Sequence, residues 1–211
     1  MKKIVITGGL GYIGTELCKI YSGYSWNDEI IVIDNRFISE RVTQLRNWNI
    51  NFIHGDILDK NLINKHCKDA DVVHHLAGIT NVPRVKSESN ATHDEKIKIV
   101  AEEGTKNILD AISDKSKIIM PSTHVVFEGL ENIKRDIDED EPTRPILSYG
   151  QSKSLNETQL KNSKKNYIIL RLGSVYGYSL DTTRIDIMAN FFAKTASQNG
   201  VLKLFAGGKQ I

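Results

Sequence analysis

Lys3-Ile4-Val5-Ile6-Thr7-Gly8-Gly9-Leu10-Gly11-Tyr12-Ile13-Gly14 is the stretch whose reading decides the fold. A short β-branched apolar run meets glycines at Gly8, Gly11 and Gly14, and Thr15-Glu16-Leu17-Cys18-Lys19-Ile20 continues with helical spacing. Strand, glycine turn and helix, in that order, are what a phosphate site requires. One glycine permits the tight turn, the next lets the backbone approach a pyrophosphate, and the last lets the helix pack closely on the strand with its N-terminus aimed at the anion.

Working outward, Glu29-Ile30-Ile31-Val32-Ile33 is a second apolar run ending in Asp34-Asn35. This acid lies about twenty residues past the turn, where a carboxylate can accept the hydroxyls of an adenosine ribose, which favours NAD. Arg36, close behind, leaves NADP open. Asn51-Phe52-Ile53-His54-Gly55-Asp56-Ile57 is a third strand with an acid, Asp56, near the adenine edge. Asp71-Val72-Val73-His74-His75-Leu76-Ala77-Gly78 is a fourth, finishing in small residues across which a flat ligand can lie. Adjacent strand residues point to opposite faces, so His74 and His75 are expected as packed, hydrogen-bonded histidines and not as ligands of one ion.

Residues 82–93 are polar and weakly patterned, a loop over the cofactor leading into a helix over 95–112. Lys117-Ile118-Ile119-Met120 is the fifth strand, with Pro121-Ser122-Thr123-His124 at its end. A charged, proline-containing loop covers 132–145, a helix opens with Tyr149-Gly150-Gln151-Ser152-Lys153, Tyr167-Ile168-Ile169-Leu170-Arg171 is the sixth strand, and 185–197 is a further helix. Strands alternating with helices give right-handed βαβ units, hence an α/β protein with a doubly wound parallel sheet, the Rossmann fold.

Composition narrows the function. The hydrophobic share is 40%, the charged share 26%, and the net charge +2 in 211 residues. These values fit a globular protein, and no basic block points to nucleic acid or a membrane surface. Cys18 and Cys67 have neither metal-ligand nor redox spacing, so no metal is expected and both should be small buried apolar residues. The apolar run behind Met1-Lys2-Lys3 is only a strand's length, and no run approaches transmembrane length, so the expected address is cytoplasmic.

In a doubly wound sheet the ligand lies at the carboxyl ends of the strands. Asp34, Asp56, His75, Ser122, Thr123 and His124 all fall at such ends. Tyr149 and Lys153, four apart, share a face of their helix. A phenol with a reference pKa near 10 is a poor base at neutral pH, but a neighbouring ammonium and a cationic nicotinamide both favour phenolate. Thr123 would hold the substrate oxygen while Tyr149 takes its proton and hydride leaves for the nicotinamide.

These motifs, with Leu170-Arg171-Leu172-Gly173-Ser174-Val175-Tyr176-Gly177, resemble the extended short-chain dehydrogenases/reductases, and more narrowly the NAD-dependent nucleotide-sugar epimerases and dehydratases. The three-residue spacing of Gly8, Gly11 and Gly14 is characteristic of that family. The resemblance implies that Gly8, Gly11, Tyr12, Ile13 and Gly14 hold the pyrophosphate, Asp34 and Asn35 the ribose, and Asp56 and Ile57 the adenine. It places Leu76, Ala77 and Gly78 against the cofactor and Lys153 at the nicotinamide ribose. It makes Thr123, Tyr149 and Lys153 catalytic, and gives Thr123 and Ser174 to the substrate, a nucleotide sugar.

Three departures from the family pattern bear on function. Ala101 stands where the family usually has asparagine, and Ser174 replaces the asparagine that meets the sugar nucleotide. His124-Val125 replace the Asp-Glu of the dehydratases, which disfavours a 4,6-dehydratase. Residues 1–177 then read as an NAD(P)-binding Rossmann domain and 178–211 as the beginning of a truncated substrate-binding region, since family members continue beyond a segment like 201–211. A homodimer paired through helices that include the Tyr149 segment is expected. An NAD-dependent epimerase is the leading expectation; an NAD(P)H-dependent nucleotide-sugar reductase, a dehydratase and a non-catalytic dinucleotide-binding regulator are the alternatives.

Overall fold

The computed structural model describes residues 1–24, 27–80, 86–131, 134–179 and 183–204. The loop expected from Val82 falls in part outside them, as do Asn132 and the segment from Phe205 onward. Two compact units divide the chain, Met1–Gly173 and Ser174–Ile211.

The first unit alternates strand and helix: β1 (Lys3–Thr7), α1 (Tyr12–Tyr24), β2 (Glu29–Asp34), α2 (Ser39–Asn47), β3 (Asn51–His54), α3 (Lys60–Cys67), β4 (Val72–His75), α4 (Ala91–Ala111), β5 (Lys117–Thr123), α5 (Ser148–Asn162) and β6 (Asn166–Leu172). All six strands are parallel, in the order β3-β2-β1-β4-β5-β6. This is the doubly wound order, and its direction reverses between β1 and β4, where such sheets bind ligands.

The central strands read as continuous apolar runs because both of their faces are covered. Val5, Ile31, Ile33, Val73, Ile118 and Met120 face one way, packing with Ile63 and Cys67 of α3, Ile108 of α4 and Leu160 of α5. Ile4, Ile6, Ile30 and Val32 face the other, packing with Cys18 of α1 and with Val42 and Leu45 of α2. Both cysteines are buried and free, as expected, and burial pushes each thiol up to about 12.

Helix α4 starts four residues before the expected Glu95, because the Asn90 side chain accepts hydrogen bonds from Thr92 N and His93 N and so caps it. The second unit contains α6 (Met188–Ser197). That helix begins three residues after the expected Ile185. The preceding turn is held by Arg184 paired with Asp186 and by Asn190 Nδ2 donating to Arg184 O.

Candidate active site

Gly8 sits at the end of β1, beside the end of β4. Its φ of +72° lies in the left-handed region, and a Cβ there would come within 2.7 Å of Ala77 N and 2.9 Å of Leu76 C. Gly8 therefore takes the turn and lets two strand ends approach. A Cβ on Gly14 would lie 2.5 Å from Gly8 O and 2.6 Å from Gly9 Cα, so this glycine seats α1 against the turn. Gly11 differs: a Cβ there would meet Gly8 O at 3.1 Å and otherwise only the end of the Arg36 side chain at 3.8 Å. Beyond it Tyr12, Ile13 and Gly14 open α1, and a helix start is where backbone N–H groups point out along the axis.

The acids stand at neighbouring strand ends. Asp34 is buried, and its carboxylate accepts from Leu10 N at 3.0 Å, tying the glycine turn to the end of β2. It also accepts from Arg36 N, Nε and Nη2, at 3.0, 3.2 and 3.4 Å. The Arg41 guanidinium, from α2, donates to Leu10 O. Asn35 Nδ2 donates to Asp56 Oδ2 at 2.9 Å, which joins the ends of β2 and β3, and Asp56 Oδ1 accepts from Leu58 N. The Ile57 side chain belongs to the core and packs on Gly104, where a Cβ would lie 2.3 Å from its Cδ1. Any contact of Ile57 with a ligand is therefore left to its backbone.

The two histidines diverge as expected. His74 Nε2 lies 2.7 Å from Tyr21 Oη, on the side of α1. His75 is bridged on the opposite side, Nδ1 at 3.0 Å from Thr7 Oγ1 and Nε2 at 2.9 Å from Thr105 Oγ1. Burial holds His75 down at about 3, with a smaller contribution from the Lys153 charge. It is therefore a neutral strut between β1, β4 and α4. Leu76 N donates to Thr7 O and Ala77 N to Thr7 Oγ1, while among the described residues no atom lies within 4 Å of the Cβ position of Gly78.

On the other side of β4 the end of β5 carries Thr123, which is buried and whose Oγ1 accepts from Val125 N at 3.3 Å, capping a short 3-10 turn at His124–Phe127. The first turn of α5 rests on that turn: a Cβ on Gly150 would lie 3.0 Å from Val125 O, so glycine allows the contact without displacing either backbone. Lys153 Nζ donates to Pro121 O at 2.9 Å. Desolvation pulls this ammonium down to about 8, and the Glu157 carboxylate counters part of the loss. Lys153 thus reaches the end of β5 from α5, with Tyr149 four residues earlier on the same helix. Ser174 is exposed in the second unit.

Sequence reasoning gave no role to Glu157, Thr105 or Arg41. Glu157 was findable as the next member of the Tyr149, Lys153 stripe; the other two carry no local signal. At Ala101 the carbonyl accepts from Asn156 Nδ2, a backbone link between α4 and α5.

A left-handed glycine turn, a helix start, acceptors at two strand ends and an open position at Gly11 suit the diphosphate and ribose hydroxyls of a dinucleotide. The fold and these residues define a dinucleotide-binding Rossmann protein. The chain belongs to the NAD dependent epimerase/dehydratase family, whose model matches residues 4–211. A Methanocaldococcus jannaschii protein, provisionally named a UDP-glucose 4-epimerase, is 32% identical over 98% of this chain and 67% of its own length. CDP-paratose 2-epimerase of Salmonella typhi is 30% identical over 99% of this chain and 69% of its own. Among solved structures, UDP-glucuronic acid 4-epimerase from Bacillus cereus in complex with NAD superposes with a TM-score of 0.77 at 27% identity, covering 98% of this chain and 66% of that one. The chain thus spans about two thirds of the length of these relatives.

Proposed function

We propose that this chain supplies the cofactor-binding part of an NAD-dependent nucleotide-sugar epimerase, within residues 1–177, with 178–211 opening a substrate-binding region. The observation that carries the reading is the seating of α5 on the end of β5. Gly150 packs on Val125 O and Lys153 is bonded to Pro121 O, so the start of α5 is held against the strand that ends in Thr123, which supports a joint role for Tyr149, Lys153 and Thr123. The names of the M. jannaschii and S. typhi relatives, and the Bacillus cereus structure solved with UDP-glucuronic acid and NAD, support epimerisation of a sugar nucleotide.

In this reading the backbone at Gly8, Gly11, Tyr12, Ile13 and Gly14 receives the diphosphate, Asp34 and Asn35 the adenosine ribose, Asp56 and the Ile57 backbone the adenine, and Lys153 the nicotinamide ribose. Leu76, Ala77 and Gly78 border the nicotinamide side, and Ser174 meets the substrate. Bound NAD supplies a hydride acceptor that returns the hydride to the other face of the sugar carbon. Thr123 holds the reacting hydroxyl, and Tyr149 removes its proton. Lys153 remains an ammonium below about pH 8 and stabilises the phenolate form of Tyr149. Two copies would pair through helices that include α5.

The test is release and identification of nucleotide from the purified protein, followed by assay on a panel of sugar nucleotides with wild type and Tyr149→Phe. The variant is expected to keep NAD and lose at least about 100-fold in kcat. Unchanged turnover removes the role given to Tyr149. Consumption of added cofactor in step with product would identify a reductase instead.

A further inference from the structure

We propose that Glu157 is a positioning residue, which sets α5 in register on the end of β5 through a carboxylate shared by Ser122 and Arg171. The inference rests on the reading of Tyr149, Lys153 and Thr123 given above.

Glu157 is only 2% exposed. A carboxylate taken out of water is stable only with its oxygens satisfied. Here Ser122 Oγ donates to Oε1 at 2.5 Å, Arg171 Nη2 donates to Oε2 at 2.8 Å, and Arg171 Nε reaches both oxygens at 3.1 and 3.3 Å. Ser122 and Arg171 are register partners across β5 and β6, so both side chains rise on one face of the sheet and meet a single acceptor from the helix above. Arg171 is itself fastened: Nη1 donates to Glu139 O, and the guanidinium lies 5.0 Å over the Phe127 ring.

One helical turn earlier, Lys153 Nζ is bonded to Pro121 O. Pro121 and Ser122 immediately precede Thr123, and each is tied to a successive turn of α5. Beside the Gly150 seat, the Asn156 link to α4 and the Leu160 packing, these two polar tethers add restraint on the slide and rotation of α5 against the strand. Tyr149, Lys153 and Glu157 are spaced by four and form one stripe, so the second tether places the first two members against Thr123. Lys153 is met by Glu157 on its own helix and by neutral His75 from β4, and Glu157 by Arg171 from β6 and Lys161 from α5. The Glu157 charge therefore also helps to keep Lys153 protonated.

Two variants test this. Glu157→Gln keeps the shape and can keep the Ser122 contact, but loses the charge. The double variant Glu157→Met/Arg171→Met replaces the whole ion pair by apolar side chains of similar volume, which folds commonly tolerate. Lys153 is followed by NMR of lysine-labelled protein, its resonance assigned with Lys153→Arg, and kcat and KM are measured against pH. In both variants Lys153 should titrate at least about half a unit lower. The kcat should fall at least about tenfold, with KM within about threefold and thermal unfolding of the double variant near wild type. An unmoved Lys153 titration in both variants, or wild-type kcat in the double variant, overturns the proposal. Should the wild type turn over no nucleotide sugar, the epimerase reading fails, and the Lys153 titration alone decides the role of Glu157.

Discussion

Replacing Gly8 and Gly11 separately by alanine should divide the glycine turn into a part that holds the fold and a part that holds the ligand. At Gly8 two costs add. A φ of +72° in an L residue costs about 1–2 kcal/mol. A Cβ within 2.7–2.9 Å of Ala77 N, Ala77 Cα and Leu76 C presses on backbone that cannot swing aside, and overpacking of that kind costs about 1–3 kcal/mol more. Gly8→Ala should therefore lose about 2–5 kcal/mol, a large part of the roughly 5–15 kcal/mol that holds a domain together. At Gly11 the φ is not in that region, and among the described residues a Cβ would be crowded by Gly8 O alone, at 3.1 Å, so Gly11→Ala should lose about 1 kcal/mol or less. Its methyl group would stand instead where the anion must approach, and NAD affinity should drop at least about tenfold. Urea unfolding followed by circular dichroism gives the stabilities, and calorimetric titration with NAD gives the affinities. The reasoning is refuted if Gly8→Ala unfolds within about 0.5 kcal/mol of wild type, or if Gly11→Ala binds NAD as tightly as wild type.

Two further outcomes are expected. His75 stays neutral in the folded protein down to about pH 3, whereas an unfolded histidine binds its proton near 6.5, so the unfolded chain holds the extra proton between those values and stability should fall as pH drops through that window, by up to roughly 5 kcal/mol over its whole width. His75→Gln should flatten the slope of stability against pH by about one proton between pH 6 and 4, and an unaltered slope in urea melts would contradict this. The Arg36 side chain donates to both carboxylate oxygens of Asp34; if Asp34 receives the adenosine ribose as proposed, Arg36 competes with its hydroxyls and stands near a 2′-phosphate, so Arg36→Ala should bind NAD at least as well as wild type and NADP several-fold more weakly in parallel titrations. Equal losses for both cofactors would refute it.

Much of the architecture was legible because it is written locally. Residues 4–6 of β1 and 30–33 of β2 are unbroken apolar runs since both faces of these strands are buried, and the left-handed φ of Gly8 and the close seat of Gly14 on Gly8 and Gly9 answer backbone geometry within a few residues. The spacing of Tyr149 and Lys153 reveals their shared face because a helix repeats with a fixed period. Strand ends, and hence the positions of Asp34, Asp56 and Thr123, follow from the same runs.

Where side chains find partners across the sheet, only the tertiary structure decides. The order β3-β2-β1-β4-β5-β6 brings Thr7 to His75, sixty-eight residues away, and Gly8 against Ala77. The pairing of β5 with β6 sets Ser122 beside Arg171 and gives Glu157 its two donors. The start of α4 at Ala91, the engagement of Asp34 by Leu10 N and Arg36, and the burial of the Ile57 side chain likewise depend on contacts that no short window contains. Periodicity and turn chemistry are settled by neighbours a few residues apart, and they determined the kind of fold and the rim of its site. Partnership among buried polar groups is settled by strand order and register, because such a group is stable only where the folded chain brings it a donor or acceptor.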